Sequence, residues 1–252
     1  MTELVTAKHA EEGGHFYRKD GSPAYTIIGK NGKERPTTLR DARKLGFVPG
    51  VSTINKCAAA PGLQNWIIDQ NILAALTTPR IDGEDETAYL SRIKSDAKEQ
   101  AIKAAERGTL IHSWVQGGFE GKPVPLEGVK FYTSALDTIE KECGPQEWIC
   151  EKSFATERYG GKCDLHSDEY LIDFKSTDKD LTTVKTWDEH ALQLAAYEKG
   201  LGANSRKCGI LYIHKETAES RLIWIPSNEL EKGWRMFSAL VEYYYAKSGL
   251  GQ

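Results

Sequence analysis

No apolar run in this chain is long enough to cross a bilayer, no C-x-x-C pair occurs, and no excess of basic residues points to a polyanion partner. A membrane-spanning helix needs about 20 consecutive apolar residues, so the first absence excludes one. The five cysteines, Cys57, Cys143, Cys150, Cys163 and Cys208, are odd in number and scattered. Neither a disulfide framework nor a zinc ribbon is indicated, and reduced, mostly buried thiols are expected. The 33 Lys and Arg against 36 Asp and Glu give a net charge of -3. Any contact with nucleic acid must therefore come from local patches and bound metal, not from a global field. Met1 to Gly14 is acidic and polar where a secretion signal would be basic and then apolar, which makes the cytoplasm the expected location. Internal repeats and low-complexity segments are also missing.

What the chain does have is a core. With 252 residues, 40% of them hydrophobic, it suffices for one large domain with insertions. Residues 1 to 14 read as loose. His15 to Ile28 alternates around Asp20-Gly21 as a hairpin does, and a second turn sits at Asn31-Gly32. Thr38 starts a short helix that Gly46 ends, and Pro49-Gly50 introduces Val51-Ser52-Thr53-Ile54. The division expected is an N-terminal extension with a β-hairpin over 1–48 and a main domain over 49–252.

Leu63 to Leu76 is mostly helical in spacing, and Thr77 to Glu86 is a break. A long helix is predicted from Thr87 to Gln116, with Lys94, Lys98, Lys103 and Arg107 among acidic neighbours as on a solvated face. Gly117 to Gly128 reads as a loop and Lys130 to Glu142 as a helix. Three strands follow, Trp148 to Thr156, Lys162 to His166 and Tyr170 to Lys175, with turns at Tyr159-Gly160-Gly161 and Ser167 to Glu169. A helix over Val184 to Leu201, strands over Cys208 to His214 and Ser220 to Ile225, and a helix over Asn228 to Lys247 close the chain. This order gives an α/β domain with a mixed central β-sheet flanked by helices.

The chemistry concentrates in YGGKCDLHSDEYLIDFKST, where Asp164, Asp173 and Lys175 lie within twelve residues. Alternation puts Leu171, Asp173 and Lys175 on one face of a strand and Tyr170, Ile172 and Phe174 on the other. Two charges thus occupy a face that a plain core strand fills with aliphatics. Pairing back through a tight turn at Asp168-Glu169 sets Asp164 opposite Asp173. Like charges so placed repel. A divalent cation between them removes the repulsion, and oxygen ligands suit Mg²⁺ or Mn²⁺ better than zinc. Spacing alone equally allows a surface hairpin whose acids face water.

Asp164, the Asp173-Phe174-Lys175 triplet and then Gln193-Leu194-Ala195-Ala196-Tyr197 resemble the PD-(D/E)xK nuclease superfamily. More narrowly the pattern resembles RecB-like exonucleases of phage type and the mitochondrial genome maintenance exonuclease. Gly108-Thr109-Leu110-Ile111-His112 matches their upstream helix pattern, and Val51 to Ile54 with Trp66 matches the region before it. The resemblance implies a restriction-endonuclease-like core. It assigns Asp164, Asp173, the backbone carbonyl of Phe174 and His112 to the metal. Lys175 would orient the attacking water and offset charge on the phosphorane, or act as base if its pKa were lowered. Glu151 matches a glutamate that some relatives place beside the metal.

Gln193 and Tyr197, four apart on one helical face, would support DNA positioning, with a Gln-Tyr hydrogen bond inside the helical layer as the alternative. Ser176 and Thr177 could meet a phosphate or cap the next element. Trp66, Trp114, Trp187 and Tyr243 to Tyr245 are candidates for base stacking or for the core.

The implied activity is that of a metal-dependent DNA exonuclease leaving 5′-phosphates, in phage recombination, repair or genome processing. A structure-specific endonuclease of the same fold, or an inactive DNA-binding or interaction subunit, is the alternative. DNA, as linear duplex or single strand, is the implied partner, together with a single-strand annealing or recombination protein or further copies of the chain. No cysteine follows Cys208, so the iron-sulfur cluster that some RecB-like nucleases carry is not expected.

Overall fold

The computed structural model describes residues 14–58, 61–202 and 205–251. The segment read as loose lies, but for Gly14, outside the described residues. In chain order the elements are β1 (Phe16–Tyr17), β2 (Thr26–Ile28), β3 (Glu34–Pro36), α1 (Leu39–Leu45), β4 (Val48–Pro49), α2 (Val51–Asn55), α3 (Pro61–Thr77), α4 (Glu86–Phe119), α5 (Leu126–Cys143), β5 (Ile149–Ala155), β6 (Gly160–His166), β7 (Tyr170–Thr177), α6 (Asp188–Gly200), β8 (Lys207–His214), β9 (Ser220–Trp224) and α7 (Ser227–Ser248).

Strands β5 to β9 form one five-stranded sheet in sequence order. All neighbours are antiparallel except β7 and β8, which run parallel with α6 between them. The mixed α/β architecture read from the sequence is therefore the one present. One face packs on α2, α6 and α7 through Ile54, Leu171, Leu194, Ile210 and Phe237. The other packs on α4 and α5 through Ile111, Phe131, Ile139, Ile172 and Phe174. Strand β7 is thus covered on both sides, not half-buried as its alternation suggested, and parallel pairing of this kind needs such cover.

The short helix α1 follows its sequence signals. Thr38 and Asp41 close a capping box, and Gly46 ends the helix at φ 70°. The hairpin at Asp20-Gly21 is shorter than the alternation suggests. Only Tyr17 bridges Pro23, and β1 pairs instead with β4. Pro23 has no N–H to extend a ladder.

Three glycine readings change. Gly117 and Gly118 lie inside α4, and Gly128 lies inside α5. A Cβ on Gly118 would stand 2.2 Å from the Tyr132 ring and one on Gly128 2.5 Å from Trp114. These residues are small because α4 and α5 cross closely, not because the chain loops there. Likewise the turn expected at Tyr159-Gly160-Gly161 falls earlier, at Glu157-Arg158, and both glycines enter β6. A Cβ on Gly160 would meet Tyr17 at 2.5 Å, so β6 has no side chain where the N-terminal segment crosses it.

Ile172 is fully buried between the sheet and α4. We expect Ile172→Ala to lower the unfolding free energy by about 2–5 kcal/mol, the usual range for an aliphatic truncated to alanine in a packed core. A urea titration checks it, and a loss under about 1 kcal/mol would contradict this packing.

Candidate functional site

The β6–β7 ladder pairs His166 with Leu171 and Leu165 with Ile172, the register expected from the turn, and it stops there. At the next position the Asp164 Oδ2 accepts the backbone N–H of Phe174 at 2.7 Å. The strand changes side at the same place. Cys163 is buried toward α6 and Leu165 toward α4 and α5, although residues two apart on a regular strand share a face.

Across from Asp164 on β5, between the pairs Cys150 with Leu165 and Lys152 with Cys163, stands Glu151 at φ 51°. That left-handed conformation costs a non-glycine residue about 1–3 kcal/mol and tends to occur at functional sites. Nothing in the side-chain pattern announced it. The Glu151 carboxylate ion-pairs with Lys162.

Asp173 points to the α6 side, as the alternation requires, and is 3% exposed. Its Oδ1 accepts from Gln193 Nε2 at 3.0 Å. Its Oδ2 lies 2.6 Å from Lys175 Nζ. That close ion pair is what compensates the buried Oδ2. Lys175 Nζ in turn donates to Gln193 Oε1 at 3.2 Å, and Gln193 Nε2 also donates to the Tyr197 hydroxyl at 2.9 Å. The Gln-Tyr hydrogen bond inside the helical layer is therefore present. The same amide holds both Asp173 and Lys175. Tyr197 is 6% exposed and packs edge-on against Phe154, so it acts on the site through Gln193.

Burial and the charge of Asp173 push the Asp164 carboxyl up to about 6, against the pull of His112, Lys175 and the Phe174 N–H. For Lys175 burial acts to lower the pKa, but the charges of Asp173 and Asp164 and the Asp173 contact outweigh it and the net shift is upward. The two acids thus favour the charged form of Lys175.

His112, on α4, sets its Nδ1 4.0 Å from Asp164 Oδ2 and its ring edge-on to Phe174. The preceding Gly108 explains the start of that helical motif, since a Cβ there would stand 2.8 Å from Ser176 Oγ. The helix can therefore lie close over the end of β7. Thr177 Oγ1 accepts the Lys179 N–H at 3.1 Å in the turn that leaves β7, well before α6, so it caps no helix. Of the stacking candidates, Trp114 is core at 6% exposure, whereas Trp187 is 58% exposed.

Two carboxylates that repel each other and a facing imidazole form a donor set whose chemistry suits a hard divalent cation. Among the described residues no three His, Cys, Asp or Glu side chains already converge on one point.

One nearby residue escaped the sequence reading. His190 lines the groove beside Lys175 and accepts the Trp187 N–H on Nδ1 at 3.0 Å. Burial first, and then the Lys175 charge, lower its pKa to about 4. Its position three residues after Trp187, in the first turn of α6, is the only trace it leaves in the sequence.

No family model and no curated protein matches the chain. Among solved structures it is similar to a protein from Eubacterium rectale assigned as an exonuclease, with a TM-score of 0.42 and 17% identity over 58% of this chain and 69% of that one. It is also similar to an alkaline exonuclease from Laribacter hongkongensis, with a TM-score of 0.31 and 15% identity over 51% and 77% of the two chains. A phage-related exonuclease from Haemophilus somnus 129PT gives a TM-score of 0.30 and 14% identity over 55% and 80%. Likenesses at these scores establish no activity for this chain, and its site has to be judged on its own residues. No described helix is long and apolar enough to cross a membrane.

Two consequences can be measured. A carboxyl whose pKa is higher in the folded than in the unfolded state costs stability as pH rises between the ordinary value of 3.8 and about 6. Asp164→Asn keeps an acceptor for Phe174 and removes that cost. In EDTA its Tm should exceed the wild type's at pH 7 and match it near pH 4, and an equal difference at both pH values would refute this. Gln193→Ala leaves Asp173 Oδ1 and the Tyr197 hydroxyl without their donor, and urea denaturation should show a loss of about 1–3 kcal/mol.

Proposed function

We propose that this chain is a divalent-metal-dependent deoxyribonuclease acting as an exonuclease. The observation that carries the reading is the half-buried Asp164 and the buried Asp173 brought together beside the Lys175 ammonium. A binding module has no use for that arrangement, which destabilises the fold where it sits.

Asp164, Asp173, the Phe174 carbonyl and His112 would hold Mg²⁺ or Mn²⁺. Bound there, the cation would supply positive charge for the phosphate and lower the pKa of a water. The protein's own contribution starts with Lys175. An ammonium beside the acids attracts a phosphodiester, orients the incoming water and offsets charge on the phosphorane oxygens. Gln193 fixes the Asp173 and Lys175 side chains relative to each other, so little reorganisation is left for the reaction. The water oxygen forms the new bond to phosphorus, the bond from phosphorus to O3′ breaks, and the products are a 5′-phosphate and a 3′-hydroxyl that has taken up a proton. Glu151, ion-paired with Lys162, is placed one strand away from Asp164 and tunes the site from there. DNA is the substrate on this reading. A setting in phage recombination or repair rests on the sequence resemblance alone.

End-labelled linear duplex, linear single strand and closed circular DNA, each with Mn²⁺, Mg²⁺ or EDTA, test the proposal. Wild type should degrade the linear forms only, and only with metal. Lys175→Ala should slow this by about 10²–10³-fold, the scale of losing one preorganised charge at the reacting centre, while DNA binding persists. Asp173→Asn should also lose metal affinity by calorimetry. Normal turnover by both variants would remove the site assignment, and cutting of the closed circle would make the enzyme an endonuclease.

A further inference from the structure

Beside Lys175 a groove of about 370 Å³ opens between the end of β7 and the start of α6. We propose that it holds a single DNA strand, with Trp187 stacking on an unpaired base and Lys179 and Lys185 meeting backbone phosphates. The inference rests on the nuclease reading and states how that site takes its substrate.

A lone exposed tryptophan means little. What distinguishes Trp187 is its surroundings. The groove is lined by three lysines, Lys175, Lys179 and Lys185, and by no acid, in a chain whose net charge is -3. Of the acids on the same segment, Asp178 ion-pairs with Lys215 at 2.7 Å and Asp188 with Lys232 at 2.9 Å, and Asp180 accepts from Thr182 at 2.8 Å. Lys175 is paired with Asp173, so Lys179 and Lys185 are the cationic contacts that the lining offers a polyanion.

The platform is also pinned in place. The Trp187 N–H donates to His190, and the Lys185 carbonyl accepts from the Tyr212 hydroxyl at 2.9 Å. His190, its pKa lowered, keeps its ring nitrogen as an acceptor at neutral pH. Held through its backbone N–H, Trp187 presents an indole, 58% exposed, at the rim of a cationic groove, where it offers a face for a base. Inside a duplex stacking covers both faces of each base, so only an unpaired base or the last pair at an end can take it. On this proposal the groove takes a separated strand and leads it to Lys175.

The test is fluorescence anisotropy in EDTA, using full-length chain and three labelled probes: an oligothymidylate, the same strand with abasic sites, and a duplex. Wild type should bind the oligothymidylate tightest. Trp187→Ala should lose about 5- to 150-fold on it, the range for one base–aromatic stack, with Trp187→Phe recovering most of the loss. On the abasic strand wild type and Trp187→Ala should agree. Lys185→Ala should weaken both strands and lower the salt dependence.

Trp187→Ala binding as wild type does, or losing equally on the abasic strand, would overturn the proposal. So would a preference for duplex. If that occurs while Lys175-dependent cleavage is observed, the groove assignment falls and the nuclease reading stands. Trp187-dependent binding with no cleavage under any metal would give the reverse.

Discussion

Asp173 is buried in the middle strand of the sheet, where a carboxylate cannot stay ionised without compensation. Asp164 stands on the neighbouring strand and adds a like charge. The Lys175 ammonium two residues along β7 answers both, and the Gln193 amide divides its donor and acceptor between Asp173 and Lys175. Removing Lys175 or Gln193 leaves the buried Asp173 without a partner it depends on, whereas removing Asp164 relieves a repulsion. The local structure has to satisfy this four-residue arrangement before it satisfies anything else.

The fold supplies those positions from separate elements. Strand β7 brings Asp173 and Lys175 to one face by its period of two. The crossover from β7 through α6 to the parallel β8 returns a helix over that face, and a spacing of four puts Gln193 and Tyr197 on its inner side. On the opposite face α4 crosses the end of β7 closely because residue 108 is glycine, and one turn later His112 reaches Asp164. The groove lies at the carboxyl end of β7, where open α/β sheets commonly take ligands because loops leave the sheet there.

How far this was legible in the sequence depended on what each signal reports. Register was legible, because a turn at Asp168-Glu169 and an apolar alternation fix strand pairing by geometry that few neighbours can alter. The caps of α1 were legible for the same local reason. Gly118, Gly128, Gly160 and Gly161 were misplaced because a glycine required for close approach has the same letter as one required for a turn. Which it is depends on Tyr132, Trp114, Tyr17 or Phe154, residues on other elements. The left-handed Glu151 and the coupling of His190 to Lys175 are long-range outcomes that left no local signal. The residues flanking the acids were legible as a set, but the part of Gln193 as a bridge between Asp173 and Lys175 emerged only once α6 was placed.

The costs within this sheet are not spread evenly. The left-handed Glu151, the raised Asp164 carboxyl, the buried Asp173 and the reversal of face between Cys163 and Leu165 all lie on three adjacent strands at one level. Beyond that level β7 and β8 pair without interruption over eight residue pairs. A sequence selected only for stability would place aliphatics at 164 and 173 and continue the β6–β7 ladder between them, at no loss to the core. Keeping two acids there, at a cost borne by the rest of the fold, makes sense when an incoming positive charge relieves their repulsion and a phosphate then meets the lysine. On the proposed nuclease reading, the defect in the ladder is the part of the structure that would carry the chemistry.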